Sequence, residues 1–439
     1  MPCDTPEAGH LFAGATGMHM RRNVLIGCGA FVLIMLMVGA TLYLYWTAPP
    51  DVPIPPAPAS PPDNAYTAYL QLVEKTRQLE ASTPNLAQIS QSAMSPQANI
   101  LALRQYVALY APIRREYRRH LSKPSVVTNA NDVRAVTESA SAFRTWARVE
   151  SADIRLAFRE GDHARAIDDL RTVLLLAEGI RNGAPFISYL VGEAMIAIGV
   201  AAFAEGVDRL SAGECDRLVQ VVREWEKVRV PFWKALEGEK RFILAMYDAM
   251  YRGSPHVLVT APPGRSASYL PFSRYLVRMT NLRSASREAN RLFDKAIAEA
   301  RKPLLKRQAV GTPSHALNQN ITILFAKNAD RSAVSVARLR LIACSAAVRA
   351  YRLRHGRYPA MLAEAGVADL NVDPFTGAGF AYRVGSNGFL LYSVGVDGKD
   401  DGGKRVPEGE VLKGTGDIAV HRYSPPPGVT TPGPTIWCK

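Results

Sequence analysis

The sequence predicts a mainly α-helical protein with a small C-terminal α+β module, carried on an N-terminal transmembrane helix. Three observations predict it. An uncharged apolar run fills residues 23–46. Apolar residues then recur at three- and four-residue steps from Ala65 to about Asp330. Short strand-like stretches bounded by Gly and Asn appear only after residue 379.

The apolar run reads NVLIGCGAFVLIMLMVGATLYLYW, long enough for the roughly 20 residues that a bilayer needs. Arg21 and Arg22 precede it, and no Lys or Arg follows until Lys75. Basic residues stay on the cytoplasmic side. Residues 1–22 are therefore expected to form a cytoplasmic tail, and the body is expected outside an inner or plasma membrane crossed once. Tyr43, Tyr45 and Trp46 suit an aromatic belt at the outer interface. A cleaved signal peptide would have a shorter apolar core and a small-residue cleavage site. The Leu25-Ile26-Gly27-Cys28 box resembles a lipid-attachment site, but most of the apolar core follows its cysteine. A pilin-type leader would carry a Glu near the start of the helix, and 23–46 has none. Met18 and Met20 offer alternative starts just before Arg21.

Residues 47–64 (TAPPDVPIPPAPASPPDN) are too rich in Pro for helix or sheet interior and predict an extended linker, a stalk below the body. The body, 65–330, predicts a helical-hairpin array with helices near 65–80, 98–120, 131–160, 163–181, 186–209, 214–251 and 284–308. Pro and Gly clusters at Gly253-Ser254-Pro255 and Ala261-Pro262-Pro263-Gly264 break it. The stretch Ala157-Phe158-Arg159-Glu160-Gly161-Asp162 with Ala166, Ile167 and Leu170 resembles the middle of a tetratricopeptide repeat, within about 153–180. It covers one unit and lacks the repeat's Trp and Leu-Gly positions. That resemblance implies protein docking; an ordinary helical hairpin gives the same pattern. Residues 186–204 are apolar except Glu193. A charge at mid-span is costly in lipid, so a buried core helix is the expectation and a second membrane span the alternative.

Formal net charge is +14. The first fifty residues hold two acidic and two basic side chains, so the excess lies in the rest of the chain. A basic body favours anionic neighbours such as headgroups or envelope polymers. The basic residues spread along amphipathic helices without a reading motif, so no nucleic-acid partner is expected. The five cysteines, Cys3, Cys28, Cys215, Cys344 and Cys438, show no metal or redox spacing. Cys344 falls on an apolar stripe and is expected to pack rather than bridge.

The C-terminal module spans 331–423 and precedes a Pro-rich tail, 424–439. Val334, Ala337, Leu341, Cys344, Val348 and Tyr351 lie on one helix face, and Gly356 suits its end. Gly379–Val384 and Phe389–Val394 read as strands joined by Gly385-Ser386-Asn387-Gly388, with the Asn-Gly hairpin signal. Asp417-Ile418-Ala419-Val420 reads as a third strand. The order of Tyr358-Pro359, Asp373-Pro374-Phe375, Tyr392-Ser393-Val394-Gly395-Val396-Asp397-Gly398 and Asp417-Ile418 resembles the globular head of type II secretion major pseudopilins. The resemblance covers about 331–420. It implies an antiparallel sheet on a long helix, a calcium ion in the late loop, and a partner in a secretion or pilus-like assembly. By position, Asp397 and Asp417 match that family's acidic ligands. The chain departs from the pattern in two ways: its membrane helix lies about 290 residues before this helix, and the loop is longer.

The loop also carries its own argument. Asp397, Asp400 and Asp401 sit within five residues among glycines, and a hard cation with oxygen ligands relieves their repulsion. The candidate metal ligands are thus Asp397, Asp400, Asp401 and Asp417. Lys399 and Pro407 spoil an EF-hand, and Arg405 with the loop aspartates spoils a P-loop at Gly398–Gly403-Lys404. No HExxH, GxSxG or CxxC is present. The histidines, among them His163, His256, His315 and His355, are isolated in sequence, and a catalytic base needs a positioned partner. No catalytic residue is assigned. The expectation is a membrane-anchored, non-enzymatic interaction or scaffold protein of a bacterial-type cell envelope. The alternative is an envelope enzyme acting on glycan through body carboxylates, such as Glu237, Glu239 and Asp248 near Trp233.

Overall fold

A computed structural model of the chain describes residues 13–419, apart from 96, 129, 131–132, 253–279, 320, 386–387, 405, 407–410 and 413–415. The Gly-Pro breaks at 253–264, the hairpin tip at Ser386-Asn387, Val420 and the Pro-rich tail lie outside the described residues. Two compact units divide the chain: Met1–Asp51 with Tyr247–Arg287, and Val52–Met246 with Glu288–Lys439.

In the first unit, α1 runs Ala13–Trp46. Its stretch Gly29–Trp46 is apolar, exposed and long enough to cross a membrane. Just beyond it, Asp51 is held by Arg287, whose Nε lies 2.9 Å from Oδ1 and whose Nη2 reaches Oδ2. Arg283 donates from Nε to the Pro49 carbonyl at 3.0 Å.

The second unit holds α2 (Ala65–Ser82), α3 (Leu86–Met94), α4 (Ile100–Leu109), α5 (Ala111–Arg118), α6 (Val133–Glu160), α7 (His163–Gly179), α8 (Phe186–Ala204) and α9 (Ala212–Val228). α10 (Phe232–Arg252) and α11 (Leu282–Ala300) follow, each divided between the units, at Met246 and Glu288, and α12 is the long helix Ile321–His355. Several predicted helices break where proline forbids continuity. The expected 98–120 is two helices meeting at Tyr110, because Pro112 suits only a first turn. The expected 214–251 is two, with the break before Phe232 set by Pro231. α11 stops at Ala300 rather than 308, ahead of Pro303. The short α3 was not anticipated, and α12 begins at Ile321, ahead of the 331 boundary read from the sequence.

Local sequence sets the ends. Asn64 caps α2 by accepting the Tyr66 N–H at 3.1 Å and donates to the Val126 carbonyl at 2.8 Å. Asp162 caps α7 through the Arg165 N–H at 3.1 Å. Ser211 and Glu214 form a reciprocal capping box on α9. The linker has neither helix nor strand, but its second half is no free stalk. Pro58 packs at Gly183, and the Pro56 carbonyl accepts from Arg241 at 3.4 Å.

α6 is the hub, packed against α2, α4, α7 and α8. Its Trp146 is fully buried among Tyr69, Tyr117 and Phe143 and donates to Thr76 Oγ1 at 2.9 Å. α6 and α7 form the predicted hairpin, turning at Gly161 with φ +77°. α8 is a core helix, 72% buried, against α6, α7 and α12. Its Glu193 pairs with Arg181 at 2.8 Å, and Arg181 also meets Glu178 at 2.9 Å, so the mid-helix charge is answered inside the body.

α12 packs against α8 and α9 and also carries the head: β2, β3 and the turn Leu362–Ala365 lie on it. Cys344 is fully buried and unbridged, as its apolar stripe predicted. The sheet is antiparallel in the order β1 (Ala381–Gly385), β2 (Gly388–Ser393), β3 (Ile418–Ala419). Tyr382 faces Leu391, and Ser393 faces Ile418. The fold is thus mainly helical with a small C-terminal antiparallel sheet.

Candidate functional site

The four head motifs fold onto one another. Tyr358 packs on the Phe389 ring at 5.5 Å, and the Pro359 carbonyl accepts the Tyr382 hydroxyl at 2.9 Å. Asp373 is buried and ties three segments. Its Oδ1 accepts the Phe375 N–H at 2.9 Å, and its Oδ2 accepts the Val394 N–H at 3.3 Å. Its own N–H donates to Ala378 at 2.7 Å. Burial pushes its pKa up, partly offset by those donors. Phe375 is fully buried beneath it. Gly395 sits at φ +71°, and a Cβ there would meet the Gly416 carbonyl oxygen at 2.8 Å, so only glycine fits.

The late loop folds around Asp417. This residue is fully buried, and its Oδ2 accepts the Gly403 N–H at 2.7 Å. Among the described residues its Oδ1 has no hydrogen-bond partner. Burial pushes its pKa up to about 6, against the Gly403 and Asp401 amides; Asp400 and Asp401 push it the same way as burial. Asp397 accepts from the Lys399 N–H at 3.1 Å and from Gly416 N–H at 3.3 Å, which places its carboxylate beside the Asp417 strand. Asp400 is turned to the Tyr392 hydroxyl at 2.6 Å and the Gly402 N–H at 2.9 Å. Asp401 is exposed. The loop thus brings Asp397 and Asp417 to one end, while Asp400 is engaged by Tyr392. Among the described residues, no three His, Cys, Asp or Glu side chains converge as a ready metal cage. The orphaned Asp417 oxygen is the feature that fits a cation, and backbone carbonyls would have to complete its shell.

The carboxylates proposed for glycan chemistry are dispersed. Glu237 is exposed. Glu239 is buried, and its Oε2 accepts the Phe186 N–H at 2.8 Å, while Asp248 pairs with Arg252 one turn on. Burial raises the Glu239 pKa to about 7. Sequence reasoning missed a denser group. Glu150 and Asp153 of α6 and Asp169 of α7 converge on Arg114 of α5, at 2.9, 2.7 and 3.4 Å. Arg118 bonds Glu150 and Asp169, and the Tyr117 hydroxyl donates to Glu150 at 2.5 Å. Burial opposes the charge of Glu150, but Arg114, Arg118 and Tyr117 outweigh it and hold its pKa low. At Asp169 burial wins, joined by Glu150 and Asp153, and its pKa rises well above the usual range. Such a split resembles an acid–base pair. All three carboxylates are buried, however, and the two guanidiniums close over them, which makes the group a polar tie between α5, α6 and α7. Its partners lie more than thirty residues apart, beyond the reach of any local motif.

Comparisons with family models, with curated proteins and with solved structures give no match to this chain.

Proposed function

We propose that the chain is a membrane-anchored, non-enzymatic interaction protein of a bacterial-type cell envelope, whose extracytoplasmic body carries a pseudopilin-like head that binds calcium. The observation that carries this reading is α12. One helix is both a core element of the body, against α8 and α9, and the spine beneath the head's sheet. A pseudopilin head is joined through its helix to the membrane segment; this one is joined to a helical docking platform. That favours a place beside a secretion or pilus-like assembly over a place within its filament.

Asp417 and Asp397 would hold the ion, with carbonyls of the Gly398–Gly403 loop. Calcium would supply the positive charge that a buried carboxylate with an orphaned oxygen lacks. The test is a thermal melt of the full chain in detergent, in excess calcium and then in excess chelator. A cation bound only by the folded state raises Tm by mass action. The rise is expected to disappear in Asp417→Asn and in Asp397→Ala, the second variant guarding against a folding defect in the first. The sign with pH is fixed as well. The folded Asp417 pKa is raised, so its penalty on folding is present above about pH 6 and fades as the proton binds below it. Calcium competes with that proton and should stabilise more near pH 7.5 than near pH 5, taken as roughly one unit or more either side of that pKa. Equal melts in calcium and chelator would remove the metal from the account.

A further inference from the structure

A cavity of 290 Å³ opens where the body meets the head, between the start of α10, the turn after α11, α12 and the turn at residues 372–377. Its wall is basic: Arg229, Arg301, Lys302, Arg307 and Arg340 line it, against one carboxylate, Asp373. Asp373 is already engaged by head amides. Glu226 answers two of the cations, taking Arg340 Nε at 2.6 Å and Arg229 Nε at 2.7 Å. Lys302 pairs with Glu299 at 2.7 Å.

Arg301 and Arg307 remain. Among the described residues, neither has a carboxylate within ion-pair distance. Arg301 stacks over the Trp233 ring at 4.5 Å. Arg307 donates to backbone, to the Lys302 carbonyl at 2.9 Å and the Ala300 carbonyl at 3.1 Å, with its guanidinium 6.0 Å from the Phe232 ring. Burial lowers the Arg307 pKa and outweighs the opposing charges of Asp330 and Glu299, neither of which is within ion-pair distance. Against the five cations stand Glu226, Glu299, Asp330 and Asp373, which leaves one positive charge in excess, with Arg301 and Arg307 the two guanidiniums outside any close ion pair. A concave wall concentrates that field.

Two guanidiniums outside close ion pairs suit an anion, and a phosphoryl group carries negative charge near neutral pH on oxygens matched to guanidinium forks. The volume is at the small end of the roughly 300–1,000 Å³ of ligand sites, which fits a small molecule and not a polypeptide or a nucleic-acid strand. Phe232 and Trp233 supply apolar and ring surface beside the charges.

We propose that this cavity binds a phosphate monoester, with its phosphoryl group between Arg301 and Arg307 and its organic part beside Phe232 and Trp233. The source is either a free phosphorylated metabolite or a lipid headgroup, since both present the same chemistry.

The test is calorimetric titration of the full chain in non-ionic detergent with inorganic phosphate, glycerol 3-phosphate and a short-chain phosphatidic acid, with acetate at matched ionic strength as control. Saturable single-site binding of all three phosphates is expected, with acetate ineffective. Arg301→Gln and Arg307→Gln should each weaken binding about tenfold or more, and Arg104→Gln, whose ion pair with Glu160 is elsewhere on the body, should not. Arg307 also holds two backbone carbonyls; if its variant misfolds, Arg301→Gln decides. Tighter binding of the phosphatidic acid than of glycerol 3-phosphate assigns the headgroup source; equal binding assigns the free monoester. Absence of saturable phosphate binding, equal binding of acetate, or unchanged affinity in Arg301→Gln would overturn the proposal.

Discussion

Glu239 shows how a single buried acid sets a measurable pH dependence. It is fully enclosed, has a pKa pushed up to about 7 by burial, and accepts one N–H, from Phe186. A raised carboxyl pKa means that folding binds a proton. The penalty is therefore absent at low pH, grows as pH rises above the unfolded value, and is complete above the folded one. Glu239→Gln keeps the acceptor and removes the charge. Chemical denaturation should find it more stable than the parent by roughly 1–3 kcal/mol above about pH 7, with the gain vanishing near pH 4 to 5. A pH-independent difference would place its origin elsewhere. In sequence Glu239 was one of three candidate carboxylates near Trp233; only burial distinguishes it from exposed Glu237. The same holds for Arg114 with Glu150, Asp153 and Asp169. Each is an ordinary charge on an amphipathic pattern, and their convergence is a product of tertiary packing. Asp397 and Asp417 were singled out through motif order, whereas the Oδ1 of Asp417, without a hydrogen-bond partner among the described residues, could be seen only in the fold.

At the scale of elements, helix existence was readable and helix ends were less so. Apolar periodicity located nearly every long helix, because a buried stripe must repeat with the helical turn. It passed through Pro112 and Pro231, where backbone chemistry outranks periodicity, and merged what are separate helices. β1 and β2 lie within two residues of the strands read on either side of the Asn-Gly pair. The head's tight junctions followed from glycine. At Gly395, positive φ coincides with a close approach to the Gly416 carbonyl. Gly395→Ala should therefore cost about 1–3 kcal/mol through backbone strain and clash together, read as a lowered denaturant midpoint. A change within about 0.5 kcal/mol, the range of ordinary surface substitutions, would show that the turn can relax.

For the whole molecule, one question separates the competing architectures: how many helices cross the membrane. Among the described residues two helices are long and apolar enough, Gly29–Trp46 and Phe186–Ala204, and they differ in surroundings. The first is exposed along its length. The second is packed within the body, with Glu193 answered by Arg181 and Tyr189 bonded to Ser332 at 2.9 Å. Moving α8 into lipid would strip α6, α7 and α12 of a shared face and leave Arg181 without Glu193. The topology proposed is that α1 alone spans, with the body and head outside. The direct measurement is a pair of reporters fused to the C-terminus of the full chain in a bacterial host, one active only after export and one only in the cytoplasm. The account predicts an active exported reporter and a silent cytoplasmic one. The reverse result would contradict it, by returning the C-terminus to the cytoplasm through a second span or by inverting the anchor.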